Sequence, residues 1–151
     1  MAFTPSDGKV YTSFDVRDMC RLDFFDFWAI MCRLGLFFDF SGNCDCGGTL
    51  VLKKRNDVKC TLTGRFRCGK CKKSISTRHN SFFDNSNLGM TELLLIIYMW
   101  CHQFSVTQIL QELRGRVSKP TLINWLQYCR DICMEIMVHR IDKLGGPGVV
   151  V

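Results

Sequence analysis

The sequence predicts a small α+β protein with an N-terminal helix, a three-stranded metal-stapled unit and a C-terminal unit of three helices. Three observations carry this. Apolar residues recur at three- and four-residue steps before residue 35 and again after residue 89. Between those segments lie short strand-like runs separated by turn residues. At the turns sit two cysteine pairs, Cys44-Asp45-Cys46 and Cys68-Gly69-Lys70-Cys71.

The first 13 residues, MAFTPSDGKVYTS, read as a polar leader without the apolar centre of a secretory signal. A helix follows from about Asp15 to Leu34, with Val16, Cys20, Phe24, Phe27, Met31 and Leu34 on one stripe. Asp15 and Asp18 suit its positive end, and Gly35 suits its stop. Phe25, Trp28, Phe37, Phe38 and Phe40 exceed what one stripe needs, so the helix packs on two sides or offers rings to a partner. Asp23 and Asp26 stand at neighbouring helix positions. No histidine, lysine or ligand set accompanies them, and they read as a solvated edge.

The segment 42–84 changes character. TLVLKKR, CTLTGRFRC and KKSIST are three strand candidates, with Asn56-Asp57 as a turn. Cysteine pairs on two turns about twenty residues apart match a zinc ribbon, in which four thiolates hold a structural Zn2+. Cys44, Cys46, Cys68 and Cys71 are the expected ligands. The first pair has one intervening residue where two are usual, and Cys60 could replace Cys44 or Cys46. A redox role for Cys68 and Cys71 lacks the βαβ surroundings of such motifs. Cys20, Cys32, Cys101, Cys129 and Cys133 fall at apolar helical positions and read as core. His79, His102 and His139 are scattered and read as ordinary surface or core residues.

Three more helices follow in 85–144. MTELLLIIYMWCHQF is capped by Thr91, SVTQILQELRG runs from Ser105 to Gly115, and VSKPTLINWLQYCRDICMEIMVHRI starts at Ser118 with Pro120 in its first turn. The short helix, glycine-bearing turn and long helix have the order of a helix-turn-helix. In that unit the last helix meets DNA by its N-terminal residues. Arg116, Lys119, Thr121 and Asn124 are the expected contacts there, with Gln108, Gln111 and Arg114 beside them. Leu122, Ile123, Trp125, Leu126 and Cys129 are the expected core of the last helix. The apolar run Leu93–Cys101 is too short to span a bilayer.

The formal charge of +6 is concentrated. Lys53, Lys54, Arg55, Lys59, Arg65, Arg67, Lys70, Lys72, Lys73 and Arg78 crowd one segment, and Asp57 alone opposes them there. Such a stretch is a solubilising face or the footprint of an acidic partner. On the second reading, Arg65, Arg67, Lys70, Lys72, Lys73 and Arg78 contact phosphates.

In order, CDCGG, GRFRCGKCKKSISTRHNSFFDNS, LLLIIYMW, VSKPTLINWLQYCR and GGPGVVV resemble the N-terminal region of Merlin-type DDE transposases and the related bacterial insertion-sequence transposases. The likeness runs from about Phe14 to the C-terminus. It implies a DNA-binding segment, with 145–151 as a linker that stops short of the first catalytic acid. No residue here matches the catalytic triad, and Asp142 is not part of one. The resemblance implies a non-enzymatic chain that binds transposon-end-like double-stranded DNA, with possible homo-oligomer formation. The missing secretory signal and the expected DNA partner together point to a nuclear or cytoplasmic location without secretion. Neither a membrane nor a small-molecule substrate is expected as a partner. A zinc-ribbon module for protein–protein interaction is the alternative.

Overall fold

The computed structural model describes residues 12–55 and 62–140. The Asn56-Asp57 turn, Cys60, Asp142 and the GGPG segment lie outside the described residues. Five helices and four strands follow one another: α1 (Ser13–Met19), α2 (Phe24–Arg33), β1 (Gly42–Asn43), β2 (Thr49–Lys54), β3 (Gly64–Cys68), β4 (Ser74–Ser76), α3 (Met90–Cys101), α4 (Val106–Glu112) and α5 (Lys119–Arg140). Among the described residues no helix is long and apolar enough to cross a membrane.

The single N-terminal helix expected from the apolar stripe is two helices. Thr12 and Asp15 form a capping box at the start of α1. The chain breaks after Cys20 because Asp23 turns its carboxylate onto the Phe25 N–H at 3.1 Å and caps a new helix. Asp23 also faces the Lys54 ammonium at 3.8 Å. Gly35, at φ 71°, ends α2 in the left-handed conformation that a side chain would oppose.

The sheet is an antiparallel meander in the order β1-β2-β3-β4. Four strands replace the expected three. The chain entering the first cysteine turn lies beside β2, pairing Gly42 with Leu50 and Asn43 with Thr49. Strand alternation divides the residues sharply. Leu50, Phe66 and Cys68 are buried, with Leu52 and Ile75 half-buried beside them. Val51, Lys53, Arg65, Arg67, Ser74 and Ser76 fill the opposite parity. Buried Thr77 closes the edge next to β4, its hydroxyl donating to the Gly64 carbonyl at 3.1 Å and accepting from the Gly64 N–H at 3.3 Å.

Helix α2 serves two cores. Phe27 and Met31, both fully buried, join Phe37, Phe83 and the apolar faces of α3, α4 and α5. Trp28 packs edge-on against Phe66 of β3 at 6.0 Å between ring centroids. The surplus rings therefore reflect packing on two sides, although Phe25 and Phe38 remain about half exposed. Of the segment 1–41, expected as a leader and helix, Phe27, Met31 and Phe37 share a core with the C-terminal helices.

Helix α3 is the centre of the helical unit, and none of its residues from Met90 to Cys101 is exposed. Its N-cap is Gly89, not Thr91, so the helix begins two positions earlier than its polar residue suggests. Ser105 and Gln108 cap α4 reciprocally. Arg114 and Gly115 take positive φ and turn the chain toward α5, where the Ser118 hydroxyl accepts from the Thr121 N–H. Leu122, Trp125, Leu126 and Cys129 are buried, as the periodicity indicates. Ile123 is a correction: it is 46% exposed, because it lies on the side of α5 away from α3 and α4.

Gly64 is where the sheet touches α2. A β-carbon there would lie 2.1 Å from Phe24 Cζ and 3.0 Å from the Lys53 carbonyl. Gly64→Ala is therefore expected to destabilise the protein by about 1–3 kcal/mol, the usual cost of overpacking. Urea unfolding checks this, and Gly69→Ala, with open space around the glycine, serves as the mild control.

Candidate metal centre

Cys44 and Cys46 come from the turn between β1 and β2, Cys68 ends β3, and Cys71 lies in the turn between β3 and β4. Backbone hydrogen bonds shape both turns. The Cys44 N–H donates to the Gly48 carbonyl at 2.8 Å, and the Gly47 N–H donates to the Cys44 carbonyl at 2.8 Å. Gly47 takes φ 74°, which lets one residue between the cysteines suffice. In the second turn the Cys68 N–H donates to the Lys73 carbonyl at 2.9 Å, with Lys72 at φ 64°.

The sheet register brings these turns together, since Leu50 pairs with Cys68. The Cys44 and Cys71 sulfurs lie 3.6 Å apart, those of Cys46 and Cys68 lie 3.5 Å apart, and all four lie within 4.8 Å of one another. Four sulfurs arranged tetrahedrally around one ion, each roughly 2.3 Å from it, would stand about 3.8 Å apart. The set could thus hold a metal ion with little movement.

Electrostatics favour a first thiolate here. N–H groups of Cys71 and then Lys70 point at Cys68, and with hydrogen bonds from neighbouring thiols they lower it to about 6. The Lys73 N–H favours the Cys71 thiolate, but the Cys46 thiol, desolvation and the other two thiols outweigh it and raise Cys71 to about 11. One charge is thus easily gained and further charges repel it, a repulsion that a bound cation would relieve. Asp45 and Lys73 join the two turns from outside at 2.7 Å.

The other cysteines are a different population. Burial pushes the Cys129 thiol up to about 12 and raises Cys32 as well, which marks them as inert packing groups. Cys20, Cys32, Cys101 and Cys133 are half-buried, so Cys129 alone of these five is fully interior.

The residues expected to meet DNA separate into groups. Arg78 is a correction: it is 6% exposed and donates to the carbonyls of Ser86 at 3.0 Å and Leu88 at 2.8 Å. It braces the loop before α3, because those carbonyls would otherwise be unpaired. Lys73 is engaged with Asp45, Lys72 donates to the Gly69 carbonyl at 2.6 Å, and Arg116 reaches Glu92 at 3.3 Å. Arg65, Arg67 and Lys70 have no ion-pair partner among the described residues. Lys119 and Asn124 are exposed on the first turns of α5, and Thr121 is half-buried with its hydroxyl 2.8 Å from that of Ser118.

Two residues of consequence were not among the expected site residues, although Lys53 belongs to the basic segment. Lys53 pairs across the sheet with Arg65, while Arg67 pairs with Val51, so three cations occupy one face. Period-two alternation was the available signal, since Lys53, Arg65 and Arg67 all oppose the parity of Phe66 and Cys68. Gly48 is the second. A β-carbon there would lie 2.8 Å from the Cys68 sulfur and 2.9 Å from Lys70 Cβ.

Metal analysis by mass spectrometry on the purified protein is expected to find one ion per chain. Cys46→Ser or Cys68→Ser should lose it, and Cys60→Ser should keep it. Gly48→Ala should leave the ligands intact yet accelerate metal release to a chelator, because the added methyl crowds two of the sulfurs. Comparison of the chain with protein-family models, with curated proteins and with solved structures yields no match, so the residues themselves carry the functional reading.

Proposed function

We propose that this chain binds double-stranded DNA and that the metal is a structural zinc ion. The observation that carries the reading is the outer face of the sheet. Lys53 and Arg65 stand directly opposite each other, Arg67 is two residues further along β3, and none has an acidic partner among the described residues. Like charges facing across a sheet are unfavourable by themselves. A row of phosphates makes them favourable, with release of counterions. Ser74 and Ser76 add hydroxyls to the same face, paired with Arg67 and Arg65. Lys70 extends it toward the metal centre.

Four thiolates closing the coordination sphere suit zinc in a structural role, with no position left for a reacting water. Lys119 and Asn124 on α5 would supply base contacts, as a basic group to guanine and a carboxamide to adenine. With the ordered motifs that resemble the N-terminal region of Merlin-type transposases, this supports a DNA-recognition segment. No residue is assigned a catalytic role.

Protein–protein interaction is the second reading. It is favoured by the last turns of α5, where Met134, Ile136, Met137 and Val138 are between 42% and 70% exposed.

Replacement of Lys53, Arg65 and Arg67 by glutamate separates the two. Under the DNA reading, duplex affinity falls at least a hundredfold at moderate salt, and the wild-type affinity declines steeply as salt rises. Fluorescence anisotropy with a labelled duplex measures both. Salt-independent affinity, or equal binding by the glutamate variant, would refute the reading.

A further inference from the structure

A groove of about 700 Å³ runs between α5 and the loop that precedes α3. Its size is that of a small-molecule or nucleobase site. One wall is aromatic. Phe82, Trp125 and Tyr128 follow one another edge to face, with centroids 5.3 Å and 5.6 Å apart, and Tyr128 is 50% exposed. The rest is mostly neutral and polar, with the carboxamides of Asn85, Asn87 and Asn124 exposed and without hydrogen-bond partners among the described residues.

No lysine or arginine lines the groove, so it is not built for phosphate. Its two acids are already engaged. Asp84 accepts from the N–H groups of Asn80 and Asn85, and Asp131 accepts from the Gln127 carboxamide at 2.7 Å. What remains free is a ring to stack on and amides that both donate and accept.

The loop wall is held in advance. Arg78 ties it from behind through the Ser86 and Leu88 carbonyls, and the Ser86 hydroxyl accepts from the Leu88 N–H at 3.2 Å. A rigid slot with an exposed ring and free carboxamides matches a planar heterocycle with a hydrogen-bonding edge.

We infer that this groove takes an unstacked nucleobase of single-stranded DNA, stacked on Tyr128 and read by Asn85, Asn87 and Asn124. This goes beyond the duplex reading and rests on it only in taking DNA as the partner. The bases of an intact duplex are stacked inward and cannot enter.

The test is titration of the isotope-labelled full chain with adenosine, cytidine and thymidine, which carry no phosphate. Nuclear magnetic resonance follows the Trp125 indole N–H and the three carboxamides. Saturable shifts confined to these signals are expected, and Tyr128→Ala should weaken them by about tenfold. A single-stranded oligonucleotide should give the same shifts at lower concentration than a matched duplex. The glutamate variant of Lys53, Arg65 and Arg67 should keep the nucleoside response while losing duplex affinity, so the two readings fail separately. No saturable shift with any nucleoside overturns the inference. So does a response to an arginine-rich peptide alone, which would make the groove a peptide site.

Discussion

Helix α2 is held from both sides, and the arrangement of the whole protein depends on that grip. Phe27 and Met31 point into the helical core, while Trp28 points at Phe66 in the sheet. A sheet of four short strands, one of them only two residues long, makes a small core that benefits from a packed neighbour or a metal staple. It gains a hydrophobic floor from one side of α2 and Phe40, and the cysteine turns draw its ends together. Gly64 lets β3 approach Phe24, so the contact is a matter of backbone against ring.

The metal centre and the basic face are two consequences of one pleat. Cys68 and Phe66 point inward because they share parity, and Arg65 and Arg67 point outward because they have the other. Zinc bound by the cysteines would lock the register of β2 and β3. The same register brings Lys53 opposite Arg65. Folding energy from a metal bound there would therefore offset the repulsion between Lys53 and Arg65 on the outer face.

Charge in this chain is sorted by use. Arg78 spends its guanidinium on loop carbonyls inside the protein, and Lys73 spends its ammonium on Asp45. Lys54 and Arg116 face acids on neighbouring helices. Among the described residues Lys53, Arg65 and Arg67 have no acidic partner and share one face of the sheet, while no lysine or arginine lines the groove beside α5. A basic segment seen in sequence thus becomes structural braces, surface ion pairs and one unpaired patch. Exposed ion pairs contribute at most about 1 kcal/mol each, so this sorting does little for stability.

Much was legible in the sequence because it depends on neighbours along the chain. The α+β class, the strand segments, the Ser105 and Ser118 caps, the Gly35 stop and the four converging cysteines all follow from local spacing. The break at Asp23 was not, because an apolar stripe continues across it and only the side chain's bond to Phe25 shows the new start. The two-residue strand β1 exists only as the partner of β2. Tertiary structure alone decided which cations remain free, since Arg78 and Arg67 look alike until one is buried among carbonyls. It also made the groove, whose walls come from residues some forty positions apart. Local spacing sets the elements, and contacts between distant residues set which chemistry reaches the surface.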